Sequence, residues 1–157
     1  MDEPQWLDDR EQRAWRGLMK LQAGLLEYIE RQLRTQSGLS TADYQVLAHL
    51  SEAPDGRLRS FALREALQWE KSRLSQHLTR MQNRNLIRRE RCPTDQRGAI
   101  VVITAQGRTL IEKAAPLHLA DVRKVLIDHM TPEQMDLLSE LSAQVEARLA
   151  EINQQPG

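Results

Sequence analysis

The stretch SFALREALQWEKSRLSQHLTRMQNRNLIRRERCPTDQRGAIVVITAQG, residues 60–107, decides the fold. Ser60 reads as the cap of a short helix from Phe61 to about Leu67. A brief turn at Gln68-Trp69 leads to a second helix, about Glu70 to Arg84. At 100° per residue its apolar Leu74, Leu78 and Met81 fall within about 60° of arc. Ser72, Gln76, Thr79 and Asn83 fall on the opposite side, with Arg73 and Arg80 on one edge of that strip and Ser75 on the other. Asn85 can close the helix because Asn tolerates the left-handed conformation. The period then changes from helical to alternating: Leu86 to Cys92 and Ala99 to Ile103 read as strands. Between them Pro93-Thr94-Asp95-Gln96-Arg97-Gly98 is a turn-rich basic loop, giving a β-hairpin.

A short helix, a tight turn, a second helix and a basic hairpin make a helix-turn-helix with a wing. Small hydroxyls and amides at the centre of the second helix can reach base edges, and long arginines at its rim can reach phosphates. An ordinary amphipathic surface helix also has a polar outer face, so the helix alone decides nothing. Its combination with the flanking helix and the basic hairpin does. Charge agrees: the chain has 22 basic and 22 acidic residues, yet eleven Arg or Lys face only four acids between Arg57 and Arg97, a net +7. The remainder carries −7. A basic middle between acidic ends is the pattern of a polyanion-binding module on a neutral scaffold.

Towards the N-terminus, Ala14, Leu18, Leu21, Leu25, Ile29 and Leu33 recur at helical gaps, with a second stripe at Trp15, Met19, Gln22 and Leu26. A helix from about Asp9 to Thr35, apolar over so wide an arc, is expected to pack on more than one side. Gly38 supplies its left-handed cap. Ser40, with Asp43 three residues on, starts a further helix that Ala53-Pro54-Asp55-Gly56 breaks, and Arg57-Leu58-Arg59 has the length of a minimal strand. Towards the C-terminus, Thr104 caps a helix from about Ala105 to His129, with Pro116 as an expected kink. Thr131-Pro132-Glu133-Gln134 starts a last helix carrying Met135, Leu138, Leu141, Val145, Leu149 and Ile152.

The expected fold is therefore mainly α with a small β-hairpin, a winged helix-turn-helix in the order α1-α2-β1-α3-α4-β2-β3-α5-α6. Residues 1–157 form a single chain fold, with 40–104 as the DNA-binding region and 9–35 and 105–153 as dimerisation helices. Aromatics are only 4%, so the core is built from Leu, Ile, Val, Met and Ala. No apolar run approaches the roughly 18 residues of a membrane span, and the acidic start MDEPQWLDDREQ is not a secretory signal, which points to the cytoplasm. The single Cys92 excludes an intrachain disulfide and a Cys-rich zinc site. No Gly-rich phosphate loop, nucleophile elbow or His-Glu-x-x-His run is present, so no enzyme and no cofactor are expected.

Residues 60–107 resemble the DNA-binding core of the MarR (multiple antibiotic resistance regulator) family. The resemblance is carried by the leucine-rich recognition helix, Leu86-Ile87-x-Arg89, Asp95-x-Arg97 and Thr104-x-x-Gly107. Asn85 departs from the Gly usual there, but both residues permit positive φ. The element order matches over essentially the whole chain. The resemblance implies a cytoplasmic homodimeric repressor that binds an inverted-repeat operator in double-stranded DNA. The polar strip of the second helix supplies the candidate DNA contacts Lys71, Ser72, Arg73, Ser75, Gln76, Thr79 and Arg80, and the resemblance adds Arg97 entering the minor groove with Asp95 orienting it. The resemblance also implies release by a small aromatic acid or phenolic ligand, for which Trp15, Arg16, Tyr44 and His49 are the candidate residues. The alternatives are a zinc- or redox-responsive regulator of the same fold, drawing on His118 and Asp121 or on Cys92, and a winged helix used only for protein contacts.

Overall fold

Capping chemistry sets the first helices. A computed structural model of the chain describes residues 3–94 and 98–154. In it α1 spans Asp9–Ser37, starts at a reciprocal Asp8–Glu11 box and ends at Gly38 with φ 70°. Only a residue free of Cβ strain enters that conformation cheaply. α2, Thr41–Glu52, begins with the expected box, Ser40 accepting from the Asp43 amide at 2.9 Å and Asp43 accepting from the Ser40 amide at 3.0 Å. Pro54 cannot continue the helix, and a short 3-10 turn, Pro54–Gly56, leads into β1, Arg57–Arg59.

The next elements are α3, Ser60–Leu67, and α4, Lys71–Asn83, joined through Gln68 at φ 55°. Ser60 is the first helical residue of α3 and not its cap. Arg59 occupies the cap position with no side-chain bond, because the chain enters α3 directly from β1. α4 is one residue shorter at each end than the sequence suggested, and Asn85 takes the positive φ expected of it, 57°. β2, Ile87–Arg91, and β3, Ala99–Ile103, pair antiparallel with Ile87 opposite Ile103 and Arg91 opposite Ala99. β1 adds to the other side of β3, so the sheet has three strands in the order β1-β3-β2. The hairpin thus gains a third strand, which supports its base.

α5 covers Ala105–Val125 with Pro116 inside it. Thr104 caps it, its hydroxyl accepting from the Gly107 amide at 3.0 Å while donating to the Asn85 carbonyl at 2.7 Å. Gly107 is required by close approach, since a Cβ there would land on the Leu86 carbonyl oxygen. α5 stops short of the expected His129. His129 Nε2 donates to the Lys124 carbonyl at 3.0 Å, satisfying a terminal acceptor, and a 3-10 turn, Ile127–His129, follows. α6, Pro132–Gln154, starts with the Thr131–Gln134 box.

The chain divides into two compact units, one ending at Asp121 and one beginning at Val122. The first unit has a core of fully buried Leu39, Val46, Leu47, Leu50, Leu63 and Met81, continued by Leu74, Leu78, Ile87 and Val101. Each such side chain contributes about 1.5–3 kcal/mol by leaving water. Of α1 only Ile29 and Leu33 are buried, whereas Trp15, Leu18, Leu21 and Leu26 stay about half exposed. In the second unit α6 buries no residue, and Leu138, Leu141, Val145 and Leu149 are likewise about half exposed.

Candidate nucleic-acid interface

α4 owes its orientation to its apolar side. Leu74, His77, Leu78 and Met81 are buried, which turns Lys71, Ser72, Arg73, Ser75, Gln76, Thr79 and Arg80 outward. All seven expected contact residues of the helix therefore share one exposed surface. The remaining two, Asp95 and Arg97, lie outside the described residues.

The surface is cationic with little internal neutralisation. Among the described residues Lys71, Arg73, Arg80 and Arg89 form no ion pair with a carboxylate. Arg73 instead lies over the Trp69 ring, 4.3 Å from its centroid. Trp69 is itself buried at the α3–α4 turn, so this cation is held in place without losing its charge. Between α3, α4 and the hairpin lies a cleft of about 540 Å³ lined by Arg59, Phe61, Arg64, Lys71, Ser75 and Arg89, among others, with no acid among the described residues of its lining. The one acid of β2, Glu90, is matched by two arginines: bonds from Arg57 and Arg88 hold its carboxyl below the usual carboxylate range.

Two features of α4 and its surroundings were not read from the sequence. Arg89, on β2, donates from Nε to Gln82 Oε1 at 3.0 Å and from Nη2 to Thr79 Oγ1 at 3.0 Å. The Thr79 hydroxyl also donates to the Ser75 carbonyl at 3.0 Å, so it is engaged on both sides. Sequence spacing cannot pair a strand residue with a helix across a turn, although the clustering of arginines at 88, 89 and 91 was visible. The second feature is buried. His77 and Arg84 converge on Asp43, which is 3% exposed. The sequence showed Asp43 only as half of a capping box.

The residues proposed to line a ligand pocket are not joined in the same way. Trp15 is 55% exposed and Arg16 is also exposed on α1. His49 Nδ1 donates within its own helix to the Gln45 carbonyl. Tyr44 packs against His118 of α5, ring centroids 4.2 Å apart. Burial lowers the His118 pKa below its usual value, with Asp121 opposing the shift, and burial also raises that of Tyr44. No hydrogen bond, ion pair or ring contact links any two of the four. The Asp121 carboxylate is occupied by the Tyr28 hydroxyl at 3.3 Å and the Gln36 amide at 2.9 Å. Cys92 is buried on the hairpin with its sulfur 3.3 Å from the Thr94 hydroxyl. Among the described residues there is no cluster of three metal-ligating side chains, and no helix is long and apolar enough to cross a membrane.

Comparison with known proteins agrees with this geometry. A family model described as MarR family matches residues 37–98. The transcriptional regulator HosA of Escherichia coli O111:H- is 31% identical over 103 residues, covering 66% of this chain and 74% of that protein. The crystal structure of AbsC, a MarR family transcriptional regulator from Streptomyces coelicolor, is similar at a TM-score of 0.91 and 38% identity, covering 94% of this chain and 99% of that one. Sco3205, a MarR family transcriptional regulator from the same organism solved in complex with DNA, is similar at a TM-score of 0.87 and 33% identity, covering 98% and 94%. The chain belongs to the MarR family of transcriptional regulators.

Proposed function

We propose that the protein binds an inverted-repeat operator in double-stranded DNA as a two-fold dimer and represses transcription from it. The observation that carries this reading is α4, whose apolar side is locked into the core while its polar side presents hydroxyls, an amide and cations that no carboxylate among the described residues neutralises. Hydroxyls and amides suit base edges, and free guanidinium groups suit phosphates. The DNA complex of Sco3205 supports the same reading by similarity. Dimerisation is supported by the exposed apolar rows of α1 and α6, since such a surface is most simply covered by the same surface of a second copy.

Release by an aromatic or phenolic acid is the finer part of the proposal. It is supported by the Tyr44–His118 pair, where His118 Nδ1 is buried without a hydrogen-bond partner, and by the cation of Arg16, which can pair with a carboxylate. Selection of bound duplexes from a random pool tests the main claim. The expected product is an inverted repeat, bound with an affinity that falls steeply as salt rises. Recovery of no common sequence would overturn it. Calorimetry with a panel of aromatic acids, in the presence and absence of the selected duplex, tests the ligand.

A further inference from the structure

The Asp43 carboxylate has no part in the DNA contacts proposed above, yet it is among the most buried polar groups of the first unit. Its Oδ2 accepts from the Ser40 amide at 3.0 Å, which completes the α2 box, and from Arg84 Nη1 at 2.7 Å. Its Oδ1 lies 2.9 Å from His77 Nε2. His77 is at the middle of α4 and Arg84 is its C-cap residue, so one acid holds the helix at two points about 10 Å apart along its axis. Arg84 Nη2 also donates to the carbonyl of Gly38, the cap of α1, at 3.2 Å. Burial acts to raise the Asp43 pKa, but the His77, Arg84 and Ser40 contacts outweigh it and hold the carboxyl well below its usual range.

The contacts continue outward. Arg80 Nη2 lies 3.2 Å from His77 Nδ1. Arginine only donates, so Nδ1 accepts and the ring N–H is on Nε2, the nitrogen facing Asp43. That nitrogen is buried and makes no well-directed hydrogen bond, so its attraction to the carboxylate is electrostatic. The chain Asp43–His77–Arg80 runs from a buried charge to a cation on the exposed surface. A box residue needs only its bond to Ser40; the two links to α4 are additional and require a further reason.

We propose that Asp43 is the positioning residue of the recognition helix, fixing the rotation and axial register of α4 through His77 and Arg84 so that Gln76 and Arg80 meet DNA in one setting. This inference rests on the DNA-reading role proposed above. The test compares binding to the selected operator and to an unrelated duplex of equal length, by fluorescence anisotropy, for variants shown by circular dichroism to be folded. Asp43→Asn and Arg84→Gln are expected to weaken operator binding about tenfold, equivalent to about 1.4 kcal/mol. Binding to the unrelated duplex should stay nearly unchanged, because the phosphate-facing arginines are intact. Arg84→Lys keeps a cation beside Asp43 and is expected to recover most of the loss. His77→Phe keeps the edge contact with Trp69, 5.5 Å between centroids, and is expected to lose part of the discrimination.

Arg84→Gln and His77→Phe leave the α2 box in place, so they decide the question even if Asp43→Asn fails to fold. Variants that keep the wild-type ratio between the two duplexes would overturn the inference. So would variants that lose affinity for both duplexes in parallel. A wild-type protein that shows no preference between the duplexes would instead overturn the DNA-reading role and the inference with it.

Discussion

Gln76 and Arg73 lie on the same exposed surface of α4 but are suited to different parts of a duplex. The Gln76 amide can pair with a base edge, and the Arg73 guanidinium, steadied on Trp69, is suited to phosphate. Gln76→Ala is expected to relax preference at one base position per half-site, at about 1–3 kcal/mol. Arg73→Ala is expected to weaken binding to every sequence alike and to reduce the salt dependence. Footprints unchanged in both variants would remove α4 from the groove. Arg97 and Asp95 carry the wing prediction from sequence alone. Pro93 to Gly98 reads as a turn-rich basic loop, and a narrow A·T-rich minor groove attracts a cation such as that of Arg97. Arg97→Ala is expected to cut operator affinity at least about tenfold, or 1.4 kcal/mol, with little change in melting temperature. Asp95→Ala is expected to lose affinity as well, although it removes a negative charge; tighter binding would show that charge repulsion, and not orientation of Arg97, governs this residue. The exposure of Arg73 and Gln76 on one side of α4 was legible in the sequence because helical periodicity alone sets it. The Arg89 bonds to Thr79 and Gln82 were not, because strand and helix meet there only after the chain has turned.

Boundaries between elements were legible wherever a local motif sets them. The Ser40–Asp43 and Thr131–Gln134 boxes, the Gly38 cap, the Pro54 break and the positive φ of Asn85 all follow from chemistry within a few residues. Thr104 and Gly107 show how far such motifs reach. The cap of α5 also bonds the Asn85 carbonyl, and the absent side chain of Gly107 admits the Leu86 carbonyl, so α5 is docked directly on the start of β2. Gly107→Ala is therefore expected to destabilise the fold by about 1–3 kcal/mol, as for other overpacked sites, despite the better helix propensity of Ala. Urea unfolding measures this, and an unchanged or raised midpoint would show that the contact relaxes freely. The end of α5 was misplaced from sequence because the helical pattern continues past Val125. It is His129, folded back onto the Lys124 carbonyl, that marks the stop.

For the whole molecule, light scattering at micromolar concentration is expected to give twice the chain mass of 18.1 kDa; a monomeric mass would leave the apolar rows of α1 and α6 uncovered and overturn the dimer. Stability is expected to depend on pH through His118. Its folded pKa lies below the unfolded value because burial penalises the charged ring. The unfolded chain therefore takes up the proton first, and stability is lost as pH falls through about 6.5. The urea midpoint is expected to drop between neutral and mildly acidic pH, and to drop less in His118→Phe, which keeps a ring on Tyr44. Equal drops in both proteins would assign the dependence to another group. The sequence by itself determined the element order, the two-sided character of α4 and the basic middle of the chain, because periodicity, capping and charge are properties of neighbours along the chain. Only the tertiary structure decided that β1 joins the hairpin, that Arg89 clasps the recognition helix, and that Asp43 is a buried junction of α1, α2 and α4. Those contacts join residues far apart in sequence, and burial alone makes an isolated carboxylate costly enough to require such partners.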